Sequence, residues 1–219
     1  MCEGGKIDWA CHANDGGTVI SEVIDFSNAV QEAIDFAKNH PEDTLIIVTG
    51  DHETGGLSIG YAETDYDTYL TNYENQKISF QKFTDDYVAS FVENQTSFEY
   101  ALEIVAELFG LKMQGEASEH LVLTDYEVQQ LKEAYEVSLK EMGEDQYTQV
   151  QESLYGTYDP FTTMITKILN HKSGVNFSSD AHTGLPVAVF AEGAGAESFD
   201  GYYDNTQIFY KIAELVCVK

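Results

Sequence analysis

The sequence predicts an α/β fold: an incomplete, mostly parallel sheet flanked by helices and interrupted by a helical insertion. Two nearly unbroken apolar runs, Thr44–Thr49 and Pro186–Ala191, read as strands buried on both faces, the pattern of parallel sheets. Helical periodicity precedes the first run and follows the second. Between the two, sheet signals fade and tyrosine, glutamate and glutamine dominate. This divides the chain into a first part of the α/β core (1–62), a helical insertion subdomain (63–171) and a last part of the core (172–219).

Thr18 to Ala37 is predicted helical because Val19, Val23, Phe26, Val30, Ile34 and Ala37 recur at three- and four-residue steps. Asn39-His40-Pro41 ends it, since proline cannot continue a helix. The strand Thr44–Thr49 stops at Gly50-Asp51-His52, and a second short strand is expected over Leu57–Tyr61 after Glu53-Thr54-Gly55-Gly56. Within the insertion, Tyr100–Phe109 and Asp125–Met142 are periodic, with Thr124-Asp125 as a helix start. Asp204-Asn205-Thr206 caps a final helix from Gln207 to about Val216.

At 219 residues, 43% of them hydrophobic, the chain is long enough to bury a core. No run of eighteen apolar residues is present, so no transmembrane helix is expected, and Met1-Cys2-Glu3-Gly4-Gly5-Lys6 lacks the layout of a signal peptide. A net charge of −27 repels nucleic acid and anionic lipid, excluding both as partners. Arginine is absent, so any phosphate grip must come from metals, from lysine or from outside the chain. Cys2, Cys11 and Cys217 form no disulfide framework, and Cys11 reads as a small buried hydrophobe rather than a thiolate ligand.

Metal-ligand residue types gather in three places: Glu3 to His12, Asp51-His52 at a strand end, and Asp180 to Gly184. Glycine flanks each, which lets backbone approach a ligand closely, and open α/β sheets collect their sites at carboxyl ends of strands. Asp8 and His12, four apart, share a face if helical, a spacing that suits ligands and ordinary surface pairs alike. Taken singly, an Asp-His pair is more often a loop dipeptide, and His182 is equally readable as a buried imidazole. His40, His120 and His171 read as structural or surface residues, and Asn14-Asp15 as a helix cap.

Order and context change that weighing. Glu3-Gly4-Gly5-Lys6-Ile7-Asp8-Trp9-Ala10-Cys11-His12 resembles the alkaline phosphatase segment E-G-x-x-I-D-x-x-x-H. Thr44 to Gly56 is similar to that family's strand followed by D-H, His182-Thr183-Gly184 to its final H-T-G, and Asp204-Asn205-Thr206 to its closing D-N-T. The resemblance implies two zinc ions and one magnesium ion. It assigns Asp8, His12 and His182 to one zinc, Asp51 and His52 to part of the second shell, and Glu3 to the magnesium. The implied reaction is hydrolysis of phosphate monoesters through a phosphoserine.

The resemblance also places the nucleophilic serine, the phosphate-binding arginine and the other magnesium ligands upstream of the E-G-x-x-I-D segment. Ser58, Ser178 and Ser179 do not sit in that motif, so the polypeptide alone is expected to be inactive, with the missing N-terminal portion of the enzyme as a partner. A homodimer and a periplasmic or secreted location follow from the family likeness. Two rivals stand beside this reading. One is a non-catalytic metal-binding or interaction module; the other is a phosphodiesterase, sulfatase or phosphomutase relative, which the H-T-G and D-N-T segments disfavour.

Overall fold

The chain turns sharply at Asn14-Asp15, and that turn decides where its first two helices point. In the computed structural model, which describes residues 1–116, 119–140 and 146–217, α1 (Gly5–His12) and α2 (Gly16–Asn39) meet there. Asn14 takes a left-handed backbone conformation, φ 51°, which asparagine tolerates better than most residues. Asp15 caps α2 by accepting from the Thr18 N–H at 3.1 Å and the Thr18 hydroxyl at 2.6 Å. Its carboxylate also accepts from Gln76 Nε2 (2.7 Å) and the Phe80 N–H (2.9 Å), so all four contacts of a fully buried acid are charge-assisted. Gly16 is needed beside it: a Cβ there would lie 2.5 Å from the Tyr73 hydroxyl.

Then come β1 (Leu45–Thr49), β2 (Glu53–Thr54) and β3 (Ser58–Ile59). The central stretch carries α3 (Phe80–Phe83), α4 (Ala89–Asn94), α5 (Phe98–Phe109), α6 (Asp125–Ser138), α7 (Gln149–Tyr155) and α8 (Pro160–Lys172). Finally β4 (Val175–Asn176), β5 (His182–Thr183), β6 (Val189–Gly193) and α9 (Thr206–Leu215) follow. The helix start expected at Thr124 is a full capping box with Glu127. Met142, the expected end of that helix, lies outside the described residues.

The sheet differs from the expectation. Among the described residues, all three strand pairs are antiparallel: β1 with β6, β2 with β5, and β3 with β4. β1 and β6 run Leu45↔Gly193 to Thr49↔Val189, so the two apolar runs are neighbours, as the resemblance to a single sheet suggests, but in opposite directions. An apolar run reports that a strand must be covered and carries no information about direction. Coverage also departs: no residue of β1 or β6 is buried, and Phe190 is 67% exposed.

The core lies elsewhere, in one cluster running from Tyr73 to Val175. Phe83, Phe109, Tyr135 and Phe161 fill it, with Phe83 edge-on to Phe109 at 5.1 Å and Tyr135 to Phe161 at 4.8 Å. α8 runs through it, burying Phe161, Ile165, Ile168 and Leu169. Its buried polar residues Thr162, Thr166 and Asn170 are all paired: Thr162 with Thr84 at 2.9 Å, Thr166 with the Thr163 carbonyl at 3.1 Å and Asn170 with the Asn14 carbonyl at 2.7 Å. Lys172 and Glu127, 2.9 Å apart and largely shielded, tie α8 to α6. No helix among the described residues is long and apolar enough to cross a membrane.

Removing the Asp15 side chain strands the Phe80 N–H and leaves the Gln76 amide only the Ile78 carbonyl and the Thr18 hydroxyl as partners. Asp15→Ala is expected to lower unfolding stability in urea by about 3 kcal/mol or more, and Asp15→Asn by less because one acceptor oxygen remains. A loss under about 1 kcal/mol for Asp15→Ala would show that this junction is not what holds the two halves together.

Candidate metal centre

Three separate segments bring imidazoles and carboxylates to one place. α1 sets Asp8 and His12 one turn apart on a common face, His12 Nε2 lying 3.4 Å from Asp8 Oδ1. The His12 Nδ1–H donates to the Asp180 carbonyl at 2.6 Å, which fixes the ring and leaves the Nε2 lone pair facing Asp8. The two-rung pairing of β2 with β5 places Thr54 opposite His182 and Glu53 opposite Thr183. His52 precedes β2, and its ring stacks on that of His182 with centroids 3.5 Å apart; the His12 and His182 rings are 5.1 Å apart.

The donor atoms of Asp8, His52 and His182 all lie within 4.8 Å of one another. Two neutral imidazoles and a carboxylate, with a third imidazole at the Asp8 oxygen, are the donor chemistry that suits zinc. The grouping differs from the one the resemblance implied, because His52 joins Asp8 and His182, while His12 reaches the group through Asp8. Asp51 stands at the edge: its carboxylate is exposed, 3.5 Å from His52 Nε2, and also accepts from the His52 N–H. Glu3 is exposed ahead of α1 and shares no hydrogen bond or ion pair with the described residues of the cluster.

Several supporting residues escaped the sequence reading. Thr54 donates to Asp8 Oδ1 at 2.5 Å and lies 3.2 Å from His52 Nδ1, so one hydroxyl orients two ligands. The available signal was its position two residues after His52, since i and i+2 share a face in extended chain. Glu53 accepts from the Gly56 N–H and the Thr183 hydroxyl, pinning β2 to β5. Gly55, at φ 84°, lets this turn sit against α1: a Cβ there would lie 2.9 Å from the Cys11 carbonyl and 2.8 Å from the Phe177 ring. Asn14, read only as part of a cap, donates to both the Cys11 and Ser179 carbonyls and so bridges α1 to the segment before His182.

Cys11 lies half-buried on α1 between the two residues of this face, Asp8 and His12. Burial, with Glu53 and Asp8 adding negative charge nearby, pushes its thiol up to about 11.

The arrangement brings a carboxylate and imidazoles together as a candidate metal site at the junction of helix and short strands in a mixed α/β protein. A sequence model of the family described as "Alkaline phosphatase" matches residues 1–218, and the chain belongs to that family. It is similar to "Alkaline phosphatase 3" of Bacillus subtilis (strain 168), 33% identical over 208 residues, 95% of this chain and 37% of that relative. It is likewise similar to "Alkaline phosphatase 4" of the same organism, 31% identical over 97% of this chain and 38% of that protein. Among solved structures, a cold-active alkaline phosphatase from the psychrophile Shewanella sp. superposes with a TM-score of 0.72 at 28% identity, covering 98% of this chain and 44% of that one. The chain thus spans under half the length of the relatives it matches.

A disulfide-exchange reagent at pH 8 is expected to modify the exposed Cys2 and Cys217 first. Cys11 should lag by roughly a hundredfold, because a thiol held near 11 rather than about 8.5 has far less thiolate at that pH. Equal rates for all three, read by peptide mass mapping, would remove the assignment of Cys11 as a shielded thiol.

Proposed function

We propose that this chain is the C-terminal share of an alkaline phosphatase and contributes most of its metal floor. The observation that carries the reading is the convergence of Asp8, His12, His52 and His182 from three distant segments in a chain of this family. Two zinc ions and one magnesium ion, when bound in the full-length enzyme, would polarise the phosphoryl oxygens and the attacking and leaving oxygens of phosphate monoester hydrolysis through a phosphoserine. Asp8, His12 and His182 would hold the first zinc, and His52 with Asp51 would hold the second. His52 lies close enough to Asp8 and His182 for either shell to draw on it. Glu3 would complete the magnesium shell only with oxygen ligands from outside the chain, which fits its separation from the imidazoles.

This chain's own residues do the positioning. Thr54 holds Asp8 and His52 in register, and the Asp180 carbonyl holds the His12 tautomer. The nucleophile, an arginine grip and the remaining ligands would come from the rest of the relatives' length. The surface supports such a partner. Of the apolar positions patterned along α2, Val19 is buried, Val23 is exposed and the others are half-buried, while Ile24 and Phe36 outside that pattern are exposed as well. α9 buries no residue at all, leaving Phe209, Ile212 and Leu215 open, and Trp9 on α1 is 67% exposed beside the metal ligands. Covering each large side chain contributes about 1.5–3 kcal/mol, so this unfilled face stores a substantial docking energy for the missing part of the fold.

Zinc titration of the metal-stripped chain, read by elemental analysis and calorimetry, tests the site. Wild type is expected to bind zinc. Thr54→Val should weaken binding roughly ten- to a hundredfold and His182→Ala by more. The chain alone should not hydrolyse a chromogenic phosphate monoester, and co-expression with the N-terminal portion of an alkaline phosphatase should restore turnover. Zinc-dependent hydrolysis by the chain alone would overturn the placement of the nucleophile outside it. Zinc binding with no turnover in any reconstitution would favour a non-catalytic metal-binding module.

A further inference from the structure

Behind His12 lies a cavity of about 350 Å³, walled by the end of α1, by α7, by α8 and by the segment leading to Asp180. Two groups on α8 enter it from one face, Thr163 and Lys167, a helical turn apart. The Thr163 hydroxyl oxygen is buried and has no hydrogen-bond partner. Lys167 is half-buried, and none of the described residues pairs with its ammonium.

That isolation is unusual in this chain, where 38 acids face 11 lysines. The other two half-buried lysines are both satisfied. Lys172 pairs with Glu127, and Lys211 donates to the Ser198 carbonyl and lies over the Tyr203 ring. For Lys167, burial alone acts, pulling its ammonium below the usual lysine range with no carboxylate near enough to raise it again. Glu152 and Asp180 also line the cavity, but both are exposed to solvent, where their charge is screened. A half-buried cation and an unpaired hydroxyl lining one cavity are costly without a ligand and favourable with an oxyanion that accepts from both.

We propose that this cavity is an anion subsite in which Lys167 and Thr163 together bind a phosphate- or carboxylate-class oxyanion. Its wall includes His12 and Asp180, so the subsite adjoins the metal centre. Two sources fit that chemistry: a second anionic group on the substrate's leaving portion, or free inorganic anion. The placement beside the metals rests on the phosphatase reading; the anion site itself does not.

The test separates the two. With metal stripped by chelator, inorganic phosphate is titrated into wild type, Lys167→Gln, Lys167→Arg and Thr163→Val, each checked for native circular dichroism. Wild type should bind, Lys167→Gln should lose about tenfold or more in affinity, Thr163→Val should lose less, and Lys167→Arg should recover most of it. Wild-type binding equal to that of Lys167→Gln, or none in wild type, overturns the subsite while leaving zinc binding untouched. With zinc restored, a bisphosphate binding more tightly than a monophosphate, by a margin lost in Lys167→Gln, identifies the substrate's second anion as the occupant. Equal affinities for the two, both lowered in Lys167→Gln, identify free anion instead.

Discussion

Asp15 carries a carboxylate into the interior with no cation beside it, and much of the molecule is arranged around that charge. Its oxygens accept from α2's own first turn and from Gln76 and Phe80, which begin the helical region. The neighbouring Asn14 reaches the other way, to the Cys11 and Ser179 carbonyls, while its own carbonyl accepts from Asn170 of α8. Asn170 in turn accepts from the Tyr73 hydroxyl, whose ionisation burial and the Asp15 charge push upward. Two adjacent residues therefore join α1, α2, the helical core and the loop before His182. Such a network is stabilising only when every member is satisfied, as it is here.

The metal cluster inherits its geometry from this junction. Asp8 and His12 sit on α1 just before it, and Asp180, whose carbonyl orients His12, follows the Ser179 that Asn14 holds. Asp8, His12 and His52 are thereby oriented by neutral hydrogen-bonding groups, the Thr54 hydroxyl and the Asp180 carbonyl. The stable core, however, lies in the helices between Tyr73 and Val175, and the ligand-bearing segments lie along its flank. The strands that should anchor them, β1 and β6, keep only each other as sheet partners among the described residues. The helical region is closely packed, whereas apolar side chains of α2 and α9 remain exposed.

Particular residues show how much of this was legible. α2, the strand Leu45–Thr49, the capping box at Thr124 and the final helix follow from local periodicity and capping, because helix and strand geometry repeat every few residues. The ligand types Asp8, His12, His52 and His182 were readable as ordered segments resembling a known family. Thr54 and the Asp180 carbonyl were not, since a threonine or a backbone oxygen has no signature of its own. Nor was the location of the core, because neither of the two apolar runs contains a buried residue.

The sequence by itself determined the elements, the inventory of metal-ligand residues and their order, because these depend on neighbours a few positions away. Tertiary structure alone decided that β1 and β6 run antiparallel, that His52 shares a cluster with Asp8 and His182, and that Lys167 has no counterion among the described residues. Those outcomes depend on which groups from residues far apart in the chain are brought within a few ångströms. Direction, partnership and charge balance are properties of such contacts, and no local pattern encodes them.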